Sequence, residues 1–218
     1  MSFNTFGSRK RSLGSSFPVW LSVDAVKHGG GTLYVPDGKT FEETYGWGKV
    51  IPAGTPIELP ESGGVIKILE TYALAVAVAA ADTKLQFRAA GNVPQVDSNT
   101  VIMVAPKTYD GTGTAISTGT VVKNETTGFL EVTITAGALG ALPAGTIFVK
   151  SSGTAGTNRT MEAIYPNALL FNDIYTEEGT EMASGAAAYH GKLMIDRVAP
   201  IPASVRANLP MISFEGGI

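Results

Sequence analysis

One phrase occurs twice in this chain. Val50-Ile51-Pro52-Ala53-Gly54-Thr55-Pro56-Ile57-Glu58-Leu59 returns, shortened, as Leu142-Pro143-Ala144-Gly145-Thr146-Ile147-Phe148-Val149. Proline pre-sets its φ, glycine closes a tight turn at little steric cost, and the Pro-Ile or Thr-Ile that follows starts an extended segment. A strand-launching turn used twice predicts two β units, one repeated inside or beside the other. The signal is architectural and brings no chemistry with it.

The composition agrees with a turn-rich β chain. There are 26 glycines and 12 prolines in 218 residues, and 44% hydrophobic content is enough for one large or two small cores. Charged residues make up 16%, below the roughly 25% usual for soluble domains, so the surface must be rich in Thr, Ser, Asn and Gly. Such a surface suits coverage by partner subunits, although a Thr-rich sheet alone also accounts for it. No cysteine is present, which removes disulfides, thiolate nucleophiles and Cys-based metal sites. The longest apolar run, residues 73–81, is nine residues long, against the ~20 that span a bilayer. Arg9-Lys10-Arg11 is followed by Ser-Leu-Gly-Ser-Ser rather than by an apolar signal-peptide core. The expectation is therefore a protein made in a cytoplasm, with no membrane partner. A net charge of −3 with one basic cluster likewise leaves nucleic acid out of the expected partners.

Four segments follow. Residues 1–20 read as an extended N-terminal arm: residues 1–16 hold three basic residues and no acids, and cannot bury enough apolar surface to fold alone. Four aromatics nevertheless sit in it, so Phe3, Phe6, Arg9, Lys10, Arg11, Phe17 and Trp20 are assigned to a strap that lies on an acidic partner. Residues 21–83 are the first part of a core β domain, with His28-Gly29-Gly30-Gly31 as a mobile hinge and residues 56–70 as a hairpin. The run 73–81 mixes alanine's helix preference with alternating Leu74, Val76 and Val78, and is read as a strand running into a helical turn. Residues 84–152 are an inserted small β barrel or sandwich. Its clearest strand is 129–135, where Leu130, Val132 and Ile134 alternate with Glu131, Thr133 and Thr135. The insertion is expected to fold on its own, with residues 151–158 as a linker. Residues 153–218 complete the core, ending in a short helix over 203–208 between prolines and a last strand over 211–214.

No constellation of residues points to catalysis. The chain lacks Gly-x-Ser-x-Gly, and its serines cluster in tails and linkers. Glu58, Glu70, Glu131 and Asp196 are carboxylates of the number any β protein of this size offers. Asp173, Glu177, Glu178 and Glu181 form an acidic loop whose oxygens suit Ca²⁺, but the spacing fits no EF-hand and a solvated loop is the preferred reading. His28 and His190 lack the further ligands a zinc site needs. The expectation is no enzyme, no cofactor and no metal. Ile201, Leu209, Met211 and Phe214 crowd the last twenty residues with apolar side chains, which predicts a subunit contact, with burial in the chain's own core as the competing account.

Several segments together resemble the auxiliary head proteins of tailed bacteriophages, the decoration and head-fibre proteins that bind outside the icosahedral capsid. They are VIPAGTPIEL (50–59), LPAGTIFVK (142–150), PNALL (166–170), GAAAYHGK (185–192) and PASVRANLPMISF (202–214). The resemblance covers most of residues 50–218. It implies an all-β protein with a β-clip or β-tulip core, frequently trimeric, that cements neighbouring capsomers on the virion surface. The implied partners are the major capsid protein, two further copies of the chain, and other head or fibre proteins. Residues 1–49 carry no part of it. The competing expectation is a carbohydrate-binding or host-adhesion module using Tyr34, Tyr45, Trp47 and Tyr109 as its platform.

Overall fold

The computed structural model of the protein describes residues 19–34, 50–60, 65–88, 96–163, 165–175 and 182–216, with the side chains of 27–34, 50, 175 and 182–184 outside the description. It is all-β apart from a single turn of 3₁₀ helix and one short α-helix among these residues, and none of its sheets closes into a barrel.

The first unit is a six-stranded sheet. Its strands are β1 (Trp20–Tyr34), β3 (Pro56–Glu58), β4 (Lys67–Ile68), β13 (Ala168–Leu170), β15 (Met182–Met194) and β16 (Ile212–Glu215). They run in the order β1-β15-β13-β3-β4, and β16 adds to β15 in parallel. The expected hairpin is present, with Ile57 opposite Ile68 and Glu58 opposite Lys67. A two-stranded ribbon, β2 (Val50–Ile51) with β14 (Ile174–Tyr175), accompanies this sheet, and Ile51 and Ile174 join Ile57, Ile68, Leu170 and Ala187 in the first apolar cluster.

The second unit has two sheets. One holds β5 (Thr71–Ala73), β7 (Val101–Val104), β8 (Gly113–Ser117), β11 (Ile147–Lys150) and β12 (Gly156–Arg159), in the order β12-β8-β7-β11-β5. The other holds β6 (Lys84–Arg88), β9 (Val121–Lys123) and β10 (Phe129–Thr133), in the order β6-β10-β9. Tyr72, Phe87, Ile102, Ile116, Val132 and Phe148 fill the space they share. Phe87 packs edge-on to Phe148 with ring centres 5.4 Å apart, a favourable quadrupole geometry.

The repeated phrase is a repeated structure. In the first copy the Thr55 N–H and Oγ1 both donate to the Pro52 carbonyl, and in the second those of Thr146 donate to Pro143. Gly54 and Gly145 have φ of 81° and 84°, the left-handed conformation that a turn of this kind requires at its third residue. Each glycine N–H then donates to a leucine carbonyl, Leu170 or Leu74, whose own N–H returns to the threonine carbonyl. The first copy is buried and the second is exposed at Pro143, Ala144 and Gly145.

Three expectations need correction. The Gly29–Gly31 hinge lies within β1, paired with the small residues of β15; between Lys27↔Ala187 and Gly31↔Gly185 the glycines absorb an irregular register. Residues 151–158 are not a linker: Ser151 bridges Met161 and β12 pairs with β8. The run 73–81 forms no helix, because Leu74 bridges Phe87 and Val78 bridges Leu142, which commits both residues to the sandwich. The helix over 203–208 is present as α1 (Ala203–Ala207), followed by β16.

The boundaries expected at 84 and 152 do not coincide with sheet boundaries, since β5 and β12 lie outside them and complete the five-stranded sheet. That sheet is also a middle layer. Successive residues of β7, β8 and β11 go to opposite sides: Ile102, Ile116 and Phe148 enter the sandwich, while Met103, Ala115 and Val149 enter a second cluster with Leu69, Leu169, Leu193, Val205 and Ile212. A strand buried on both faces loses the polar alternation that makes a half-exposed strand legible. Replacing residues 84–150 by a Gly-Ser bridge removes Met103 and Val149 from the second cluster, each worth roughly 1.5–3 kcal/mol of burial. The remainder is expected to lose its cooperative urea transition by circular dichroism. A sharp native-like transition there would mean that the first unit holds its own core.

Candidate functional site

The residues with the most perturbed chemistry lie where the chain passes between the two units. Glu70 comes just before β5, Lys150 ends β11 and Glu162 follows the Ser151–Met161 bridge. Backbone bonds tie the three passages together: the Lys150 N–H donates to the Glu70 carbonyl and the Glu162 N–H to the Lys150 carbonyl, both at 3.0 Å. The side chains repeat that linkage. Lys150 Nζ is 2.8 Å from Glu70 Oε1 and 3.3 Å from a Glu162 carboxylate oxygen, and the Tyr72 hydroxyl donates to Glu70 Oε2 at 2.7 Å.

The two ends of this network differ in depth. Glu70 is almost wholly buried while Lys150 keeps some access to solvent. Burial pushes the Glu70 carboxyl up to about 7, more than the Lys150 charge and the hydrogen bonds from Lys150 and Tyr72 draw it down. Burial also works against the Lys150 ammonium, but Glu70 and Glu162 more than offset it and its pKa is raised. Burial first, and the Glu70 carboxylate next, hold the Tyr72 phenol well above its usual range. Glu70 has no opening to a substrate, so the network's direct effect is to fasten the junction between the units. Composition did not reveal it. The sequence signal was a lone acid in the mainly apolar residues 65–81, which also hold Lys67 and Thr71; its cation lies 80 positions away.

The expected site residues are dispersed. Phe3, Phe6, Arg9, Lys10, Arg11 and Phe17 lie outside the described residues, as do Tyr45, Trp47, Glu177, Glu178, Glu181 and the side chains of His28 and Tyr34. Trp20 does not belong to an arm: it opens β1 opposite Leu193 and packs against the second cluster. Ile201 and Leu209, expected at a subunit contact, are 2% and 3% exposed within that same cluster, which they enter from either side of α1. Phe214 is partly buried beside them, and Met211 alone of the four is exposed, at 56%. Tyr109 is partly buried and meets Tyr165 edge-on, with ring centres 5.0 Å apart.

The carboxylates serve local ends. Asp173 Oδ1 accepts the Ala53 N–H at 2.8 Å and so holds the first PAGT turn. Glu58 accepts from Lys67 and from the Tyr165 N–H. Glu131 accepts from Asn124, which draws its pKa down. His190 stands 3.6 Å from Asp24 across β1 and β15. Among the described residues no group of three or more His, Asp or Glu is placed to hold a metal ion, and no helix is long and apolar enough to cross a membrane.

The chain matches no protein-family model, no curated protein and no solved structure with which it was compared.

Proposed function

We propose that this chain is a structural protein of a tailed-bacteriophage virion, which binds the outside of the capsid and stabilises it. The observation that carries the reading is convergence in space. Of the five segments on which the resemblance rests, 50–59, 166–170, 185–192 and 202–214 supply β3, β13, part of β15, α1 and β16, while 142–150 supplies β11 of the second unit. The first four contribute to one sheet and the clusters on its two faces, so most of a resemblance scattered along the sequence falls on the first unit. A tightly packed two-unit β body suits a cement protein, and many copies on a shell multiply a weak individual contact.

The test is addition of the purified protein to particles that lack it. Bound copies should sediment with the particles and raise the temperature at which the shell opens. Deleting residues 1–16, with their charge of +3, should leave the melting curve unchanged, weaken attachment, and abolish most of its dependence on salt between low and physiological strength. Unchanged attachment after that deletion would remove the arm from the mechanism. The second reading, a carbohydrate-binding module, draws on the half-exposed Tyr165 ring braced by Tyr109; glycan binding lost in Tyr165→Ala, with no particle binding, would favour it.

A further inference from the structure

We infer that the second Pro-Ala-Gly-Thr turn is a docking site for an acidic segment of a partner protein, which brings to it the carboxylate and the branched apolar side chain that the chain's own residues bring to the first. The ground is a duplication wider than the repeated phrase. In the first copy Leu170 clasps the turn through its carbonyl and N–H, the Phe171 N–H donates to the Ala186 carbonyl, and Ile174 pairs with Ile51. In the second Leu74 clasps the turn, the Ala75 N–H donates to the Gln86 carbonyl, and Val78 pairs with Leu142. The neighbouring strands correspond as well, since Leu170 lies opposite Ala187 and Leu74 opposite Phe87. Residues 74–78 and 170–174 therefore take the same course past the same turn.

Residue for residue, Ala77 stands where Asp173 does, and Ala144 where Ala53 does. Asp173 Oδ1 accepts the Ala53 N–H at 2.8 Å. Ala77 carries no carboxylate, and no described residue accepts the Ala144 N–H. The glycines differ in the same sense: Val198 and Leu193 close over Gly54, while nothing stands within 4 Å of a methyl placed on Gly145. On this side the second copy has an open recess of about 580 Å³, with Ala77, Val78, Leu142 and Pro143 among its walls. Asp82, also on the wall, gives its Oδ2 to the Ala79 N–H at 2.8 Å and leaves the Ala144 N–H open.

The first copy supplies the chemistry of the occupant. A backbone N–H held in a fixed turn binds an ionised carboxylate more strongly than a neutral acceptor, and the apolar walls beside it suit a branched side chain in the part that Val198 plays at Gly54. Water satisfies the Ala144 N–H when the site is empty, so the turn is stable alone and free to take a segment from another chain. A buried turn has no such choice, and the first copy is closed from within.

The probe is the dipeptide acetyl-Asp-Val-amide, titrated against the full chain and read by amide NMR. The Ala144, Gly145 and Thr146 amides of the wild type should shift and saturate at about millimolar concentration, and acetyl-Asn-Val-amide should bind about tenfold more weakly. Ala144→Pro removes the N–H while proline keeps the φ that the turn's second residue needs, and it should abolish the Gly145 and Thr146 shifts. Ala77→Asp supplies the carboxylate from within the chain; it should also abolish binding, and raise the melting temperature by about 2–4 °C. If Ala144→Pro does not fold, Ala77→Asp carries the test. The absence of a saturable shift in the wild type overturns the inference, as do unchanged shifts in Ala77→Asp or equal binding of the two dipeptides. Binding of 3-methylbutanoate as tight as that of acetyl-Asp-Val-amide would give the site to a small carboxylic acid and overturn the protein occupant.

Discussion

The melting temperature of this protein should fall as pH rises from about 4.5 to about 7, and the Glu70→Gln variant should lose most of that fall. Glu70 ionises near 4.5 in the unfolded chain and at about 7 in the folded one. Between those values the folded state holds a proton that the unfolded state has released, so stability decreases with pH. The contribution is complete below 4.5 and gone above 7. A difference of that size corresponds to about 3 kcal/mol, or roughly 6–12 °C in a chain of this length. Lys150, with its raised pKa, keeps its charge throughout the window, and Tyr72 remains a donor. Glutamine keeps one carbonyl acceptor, for Lys150, can donate its amide N–H to the Tyr72 hydroxyl oxygen, and carries no charge that titrates in the window. Replacing Lys150 by Met sharpens the contrast, because the carboxylate then ionises without its cation: the loss should be larger at pH 8 than at pH 5.5. Parallel melting curves for wild type and Glu70→Gln across the window would mean that Glu70 ionises in the folded protein as it does in water.

The second large effect separates the two copies of the repeated turn. Gly54→Ala should cost about 3 kcal/mol and Gly145→Ala about 1, measured by urea unfolding. Both substitutions force alanine into left-handed backbone, a penalty of about 1 kcal/mol that they share. They differ in what the methyl group meets. At Gly54 it would run into Val198 Cγ1 and lie 3.2 Å from Val198 Cβ and 3.4 Å from Leu193 Cδ1, both in the second cluster. At Gly145 nothing stands within 4 Å. Overpacking of a tight core adds about 1–3 kcal/mol. Equal losses at the two positions would show that the cluster yields around the new methyl and that backbone strain is the whole cost.

Those two glycines mark the limit of what could be read in the chain. Turn geometry depends on residues that are neighbours in sequence, so Pro-Ala-Gly-Thr carries its conformation wherever it occurs, and both copies have it. Alternation is local in the same way. Leu130 and Val132 are buried in β10 as their spacing predicts, and the prolines around residues 203–207 bracket a helix. The face that a strand buries on its second side has no local signature, and so the sequence predicts an independent insertion over 84–152 where the structure has a shared middle layer. β8 (GTAIS) carries no alternation for the same reason, with Ala115 and Ile116 buried toward different clusters.

Function-bearing features divide along the same line. The low charge content, 16%, was legible because it is a property of composition. Which apolar residues of the last twenty stay outside was not, since Ile201, Leu209, Met211 and Phe214 are equally apolar and only the path of α1 and β16 separates them. Glu70 is the clearest case. Its sequence neighbours made it an ordinary acid, while the fold buries it, which raises its pKa, and brings the opposing lysine from 80 residues away. The sequence by itself determined where this chain turns and which residues alternate, because those depend on backbone conformation within a few bonds. Only the tertiary structure decided which turn is buried and which carboxylate is desolvated, because exclusion of water depends on what the rest of the chain lays over a residue.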